Sequence, residues 1–122
     1  MKKDETYTFD ETYRIEIPEG LPGTKTALKQ VEFSLASLRA RGGHLMKFVH
    51  DEALGSAQAR LRNEIRRFLR VYKKEERIIL MIRGEDFGMT DPMTRYLVDK
   101  CPQVELDRDM DKGNANITVV YF

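Results

Sequence analysis

Along this chain the spacing of apolar residues switches repeatedly between two and three-to-four, and few folds accommodate such switching. Tyr13, Ile15 and Ile17 alternate with Arg14 and Glu16, placing three apolar side chains on one face of a short strand. Pro18-Glu19-Gly20-Leu21-Pro22-Gly23 breaks that strand. Thr24 is a suitable N-cap, and Leu28, Val31, Leu35 and Leu38 then recur at three and four, predicting an amphipathic helix that Gly42-Gly43 stops. Leu45 to His50 reads as a second strand and Asp51 to Ser56 as a loop. A helix from about Ala57 to Tyr72 follows, with Leu61, Ile65, Phe68, Leu69 and Tyr72 on its apolar side. Ile78 to Ile82 is an unbroken apolar run of strand length, which predicts a central strand buried on both faces. Asp91-Pro92 signals a helix start, because Asp caps free amides and Pro at the first helical position gives up an N–H that has no partner there. That helix, carrying Met93, Tyr96 and Leu97, is expected to end near Cys101-Pro102. Ile117 to Phe122 closes the chain as a strand, with a short companion around Val104 to Leu106.

Strands and helices thus alternate, and the expected fold class is α/β, an α+β two-layer sandwich of about four strands and three helices. A chain of 122 residues builds one core. Met1 to Thr12 is polar and aperiodic and reads as a flexible N-terminal tail, leaving 13–122 as the domain. With 41% hydrophobic and 34% charged residues the composition is that of a folded globule and not of a disordered chain. Cys101 stands alone and needs no oxidising compartment. MKKDETYTFDET lacks an apolar h-region, and no stretch approaches the ~18 apolar residues of a membrane span, so a cytoplasmic protein with no membrane partner is expected.

Lys plus Arg number 21 and Asp plus Glu 20, a net charge of +1 that by itself names no partner. The average conceals a segregation. Between Ala57 and Lys74 stand Arg60, Arg62, Arg66, Arg67, Arg70, Lys73 and Lys74 against the single acid Glu64. On a helix, Arg62, Arg66, Arg70 and Lys73 fall within about 80° of one another, and Arg60, Arg67 and Lys74 lie beyond them, so the solvent face forms a cationic ridge about 24 Å long. Clustered basic faces mark nucleic-acid sites. The competing reading is a solvated helix whose arginines pair with Glu105, Asp107, Asp109 and Asp111.

Other chemistry finds little support. Asp107, Asp109 and Asp111 alternate like the start of a calcium loop, but Lys112 then falls where glycine is needed and Thr118 where a bidentate glutamate is needed. No phosphate-binding glycine loop and no paired-cysteine motif is present, so neither metal nor cofactor is expected. Gly84-Glu85-Asp86 reads as a turn, and His44 as the solvent-facing start of a strand. His50 ends a strand just before the basic helix, where ligands of open α/β sheets collect and helix amides converge on an anion. A hydrogen-bonded histidine at the edge of the core is the structural alternative.

Taken together, YRIEIPEG, LMKFVHDEALGSAQARLRNEIRRFLR and GNANITVVYF resemble the Smr (small MutS-related) family in order and spacing, over nearly everything from Tyr13 on. IRGEDFGMTDPMTRYLVDKCPQVELDRDMD further resembles short, stand-alone Smr-like proteins from Firmicutes. The resemblance implies a compact domain like the C-terminal domain of bacterial translation initiation factor three, nucleic-acid binding, and endonuclease activity in some members. Glu16 occupies the place of the first motif's Asp, with Pro18 where its His would stand. His50 keeps the His of the second motif, while Asp51 replaces the following Gly and the next glycine, Gly55, comes later. Thr118 matches the Thr of the third motif, although Gly113-Asn114-Ala115-Asn116 has lost most of its glycines, which would have let a phosphate backbone approach the amides. The function expected is therefore binding of RNA or DNA, with the ribosome as one candidate target. The contacts expected are Lys47, His50, Arg60, Arg62, Arg66, Arg67, Arg70, Lys73 and Thr118. The alternatives are a weak Smr-type endonuclease using Glu16 or Asp86 as base with His50 as partner, and a protein-interaction module docking acidic partners.

Overall fold

A computed structural model describes residues 9–15, 24–50 and 56–122. The order is β1 (Glu11–Ile15), α1 (Thr24–Ala40), β2 (Leu45–His50), α2 (Ser56–Lys74), β3 (Leu80–Arg83), a 3-10 turn (Gly84–Asp86), α3 (Pro92–Lys100), a second 3-10 turn (Pro102–Leu106) and β4 (Ile117–Tyr121). The four strands form one mixed sheet in the order β1-β2-β4-β3. β1 runs parallel to β2, and β4 runs antiparallel to both of its neighbours. The fold is α+β, with three helices on a four-stranded sheet.

The two long helices each follow a strand and return over the same face of the sheet. Val31, Leu35 and Leu38 of α1 and Leu61, Ile65 and Leu69 of α2 pack there on Met46 and Phe48 of β2 and Val120 of β4. The other face carries Leu45, Leu80, Ile82, Ile117 and Val119 under Leu97 of α3, Val104 and Met110. Because successive strand residues point to opposite faces, Met46, Phe48 and His50 look toward the long helices while Leu45, Lys47 and Val49 look away.

Local signals operate as their chemistry dictates. The Asp91 carboxylate accepts the Thr94 N–H at 2.9 Å and Pro92 follows it, a capped start for α3. At the end of α1, Gly42 adopts φ +82°, its N–H bonding Arg39 O and that of Gly43 bonding Leu38 O, the left-handed helix stop for which glycine is suited.

Three expectations are corrected. Residues 9–12 are not part of a tail, since Phe9 is only 1% exposed in the core under α3 and Glu11 and Thr12 already lie in β1; the rest of the expected tail lies outside the described residues. The apolar run at Ile78 to Ile82 is not central. Ile78 is buried under the long helices before the strand begins, Ile79 is exposed, and β3 lies at the sheet edge, so the run is apolar for three separate reasons. The strands covered on both faces are the two central ones, β2 and β4. Finally, Val104 to Leu106 belongs to a 3-10 turn that starts at Pro102 and buries Val104.

Candidate nucleic-acid interface

The end of β2, the start of β4 and the end of β3 meet at one end of the sheet, because β4 runs opposite to the other two. Phe48 pairs with Thr118 and Val49 with Ile117, and the His50 N–H reaches Asn116 O at 2.7 Å. His50 and Thr118 thereby point to the same face, and the imidazole Nε2 sits 2.9 Å from Thr118 Oγ1. From α2, Arg66 donates its Nε–H to the same hydroxyl oxygen at 3.0 Å. Its other nitrogens donate to Ala115 O at 3.1 Å, Ile117 O at 2.9 Å and the Glu85 carboxylate at 3.1 Å. His50, Arg66 and Thr118 are at most 2% exposed, so this is an interior polar network.

The bonding pattern fixes protons. Thr118 Oγ1 accepts from Arg66, and its own buried hydroxyl proton finds an acceptor in His50 Nε2. The imidazole proton then resides on Nδ1, which is buried and has no partner among the described residues; neither has Arg62 Nε. Burial, reinforced by the charges of Arg66 and Arg62 and opposed by Glu85, lowers the His50 pKa from 6.5 to about 3. The imidazole is neutral throughout the physiological range. For Arg66, burial pulls the pKa below its ordinary value against the bond and charge of Glu85. Burial raises the Glu85 carboxyl, and the bond from Arg66 and the charges of Arg66 and Arg83 more than offset this, leaving it below the usual carboxylate range.

The sequence-derived set therefore divides. Arg60, Arg67, Arg70 and Lys73 are exposed along α2, and Arg62 is half-buried beside His50. Arg66, expected among the phosphate contacts, is instead a buried strut, because the turn bearing Glu85 and the carbonyls of Ala115 and Ile117 close over its flank of the helix. Thr118 is buried in the same network and presents no surface. Lys47 is a clear departure. It lies on the opposite face of the sheet, 4% exposed, with its ammonium 2.8 Å from Asp107, 2.7 Å from Asp109 and over the Phe9 ring at 5.0 Å. Glu16 lies outside the described residues.

Sequence reasoning treated Glu85 as a turn residue, yet it is the carboxylate that neutralises Arg66. Gly84 is what lets it come close, since a Cβ there would meet Asn114 O at 1.8 Å. The only available signal was position, an acid directly after a strand that ends beside His50.

The acids of 105–111 do not cover the ridge. Asp107 and Asp109 hold Lys47 on the far face, and the Asp111 carboxylate accepts the Met89 N–H at 2.9 Å. Among the described residues the ion pairs of α2 are Arg66 with Glu85 and a 4.0 Å contact of Arg67 with Glu64. No three His, Cys, Asp or Glu side chains converge as a metal site among those residues, and no helix there is long and apolar enough to cross a membrane. Compared with known proteins, the chain matches no family model, no curated protein and no solved structure.

Proposed function

We propose that this chain is a cytoplasmic, Smr-like nucleic-acid-binding domain that contacts the phosphates of RNA or DNA through the exposed cations of α2. One observation carries the reading: Arg60, Arg70, Lys73 and Lys74 stand in solvent without an acid partner among the described residues, while Asp107 and Asp109 are committed to Lys47 across the sheet. Concentrated unpaired charge of one sign costs self-repulsion that an anionic polymer relieves. Arg62, with its buried unpartnered Nε beside His50, extends the surface toward the sheet end. Binding is favoured over cleavage, because an imidazole that protonates only near pH 3 is a feeble base at neutral pH. The resemblance to Smr domains supports the reading through His50 and Thr118, the two motif positions kept and found in contact.

The test is an anisotropy titration of single-stranded and hairpin RNA and DNA at two salt concentrations, with wild type and the Arg60→Ala, Arg67→Ala, Arg70→Ala triple variant. For about four phosphate contacts on a single strand the expected slope of log affinity against log salt is about −3, and the triple variant is expected to lower its magnitude by about 2. Affinity indifferent to the triple change, or absent at low salt, overturns the proposal.

A further inference from the structure

We infer that the free edge of β3 is a docking site for an extended segment of another protein, acidic on the side that faces α2. Among the described residues β3 has a single neighbour in the sheet, β4. The Phe122 N–H bonds His44 O on the β2 side, so alternation turns Tyr121 and Val119 of β4 toward β3, where they face Leu80 and Ile82. The N–H and C=O of Met81, between those two, therefore point to the open edge, and no described residue bonds them. A groove follows this edge, lined by Arg70 from one face of the sheet, Met81, Ile82 and Arg83 from the strand, and Asp91 and Met93 from the other face. Of its apolar lining Met93 is exposed and Met81 half-buried, and Ile79, the residue before β3, is exposed as well. Unpaired strand amides flanked by exposed apolar side chains are the recognition surface of strand addition.

Charge selects the occupant. Arg83 is paired with Asp86 at 2.9 Å, and Asp91 is occupied in capping α3, which leaves Arg70 as the unmatched charge over the groove. A second copy is disfavoured. Antiparallel pairing of two β3 strands uses a two-fold axis perpendicular to the sheet, which would bring Arg70 and its helix neighbours Arg67 and Lys74 against the same cations. Nucleic acid cannot complete a strand ladder. A peptide strand with a carboxylate opposite Arg70 and apolar side chains against Met81 and Met93 satisfies the edge, the apolar flanks and the charge together.

The experiment uses the full chain, 15N-labelled, with an eight-residue peptide of alternating valine and glutamate as probe and its lysine counterpart as control, read by amide hydrogen exchange. The expected result is at least tenfold slower exchange at Met81 with the glutamate peptide and no change with the lysine peptide. Arg70→Glu is expected to reverse that preference. Met81→Pro, which removes the outward N–H that the peptide would bond, is expected to abolish the peptide-induced amide shift changes of Leu80 and Ile82 seen in wild type while RNA affinity stays at the wild-type value, so this inference and the nucleic-acid reading fail separately; the Arg70→Glu arm decides the matter if the proline variant does not fold. No protection at millimolar glutamate peptide, or equal protection by both peptides, overturns the inference. So does protection without peptide that grows with protein concentration, which would assign the edge to a second copy.

Discussion

His50 bonds Thr118 inside the sheet end, and that placement sets how the protein responds to acid. An unfolded imidazole takes up a proton near pH 6.5, whereas the folded one does so only at about 3, so between those values the unfolded state binds the extra proton. The stability held by a neutral His50 is complete above about pH 6.5 and falls as the pH drops toward 3, by about 1.4 kcal/mol per pH unit. Glu85 and Asp109, both below the usual carboxylate range, add acid lability only in a lower window, under about pH 4.5. Urea unfolding at pH 7 and pH 5 is therefore expected to show a clear loss for wild type and little for His50→Gln; equal losses would mean that His50 is not the responsive group. Thr118 is the other half of the contact. Thr118→Val leaves Arg66 Nε without an acceptor and His50 Nε2 without a donor, and is expected to cost about 1–3 kcal/mol at pH 7, with Thr118→Ser costing clearly less.

Among the elements, α2 shows best what helical spacing reveals and what it conceals. Its basic residues and its apolar side were legible, because both depend only on 3.6-residue periodicity. Which arginine would be roofed over was not, because Glu85, Ala115 and Ile117 come from distant parts of the chain and converge on Arg66 only when the sheet forms. The same reason hid Lys47, whose strand parity was readable but whose partners lie sixty residues on. Arg66→Ala is consequently expected to destabilise by about 2–4 kcal/mol, because it leaves the buried Thr118 hydroxyl and the Ile117 carbonyl without their donor and empties the space of a buried side chain. The Arg60, Arg67, Arg70 triple change is expected to stay within about 0.5 kcal/mol per site. Denaturant midpoints of the two proteins check this, and a comparable loss in both would mean that the exposed arginines have structural partners. The end of α2 offers an independent test. Arg77 N–H bonds Tyr72 O and Glu76 takes φ 63°, the role glycine fills at Gly42 after α1. A non-glycine residue is strained there, so Glu76→Gly is expected to raise stability by about 0.5–1 kcal/mol.

Across the whole molecule, the sheet acts as a partition between two populations of charge. Net charge could not show this, since a sum of +1 is compatible with arginines and aspartates that neutralise one another or with ones that never meet. What decides is the parity of β2, which sends His50 toward α2 and Lys47 away from it, into the carboxylates of Asp107 and Asp109. Asp109 also accepts a bond from Asn114 at 3.2 Å, which ties the cluster to the turn whose carbonyls hold Arg66. Under the proposed function the Lys47 cluster and the binding surface lie on opposite faces, and one substitution separates them. Lys47→Met preserves the length and apolar packing of the side chain but strands two largely buried carboxylates, for which a cost of about 3–5 kcal/mol is expected at pH 7. As the pH falls, the deficit relative to wild type should shrink, because Asp109, whose carboxyl Lys47 holds below the usual range, takes up its proton more readily once the ammonium is gone and then no longer requires it. Below its unfolding midpoint the variant should still bind RNA with the wild-type dependence on salt, since none of the cations of α2 has been altered. Urea titrations at pH 7 and pH 4, paired with RNA titrations at two salt concentrations, measure both halves. A salt slope reduced by about one unit would place Lys47 among the phosphate contacts after all, and would contradict the separation of the two faces.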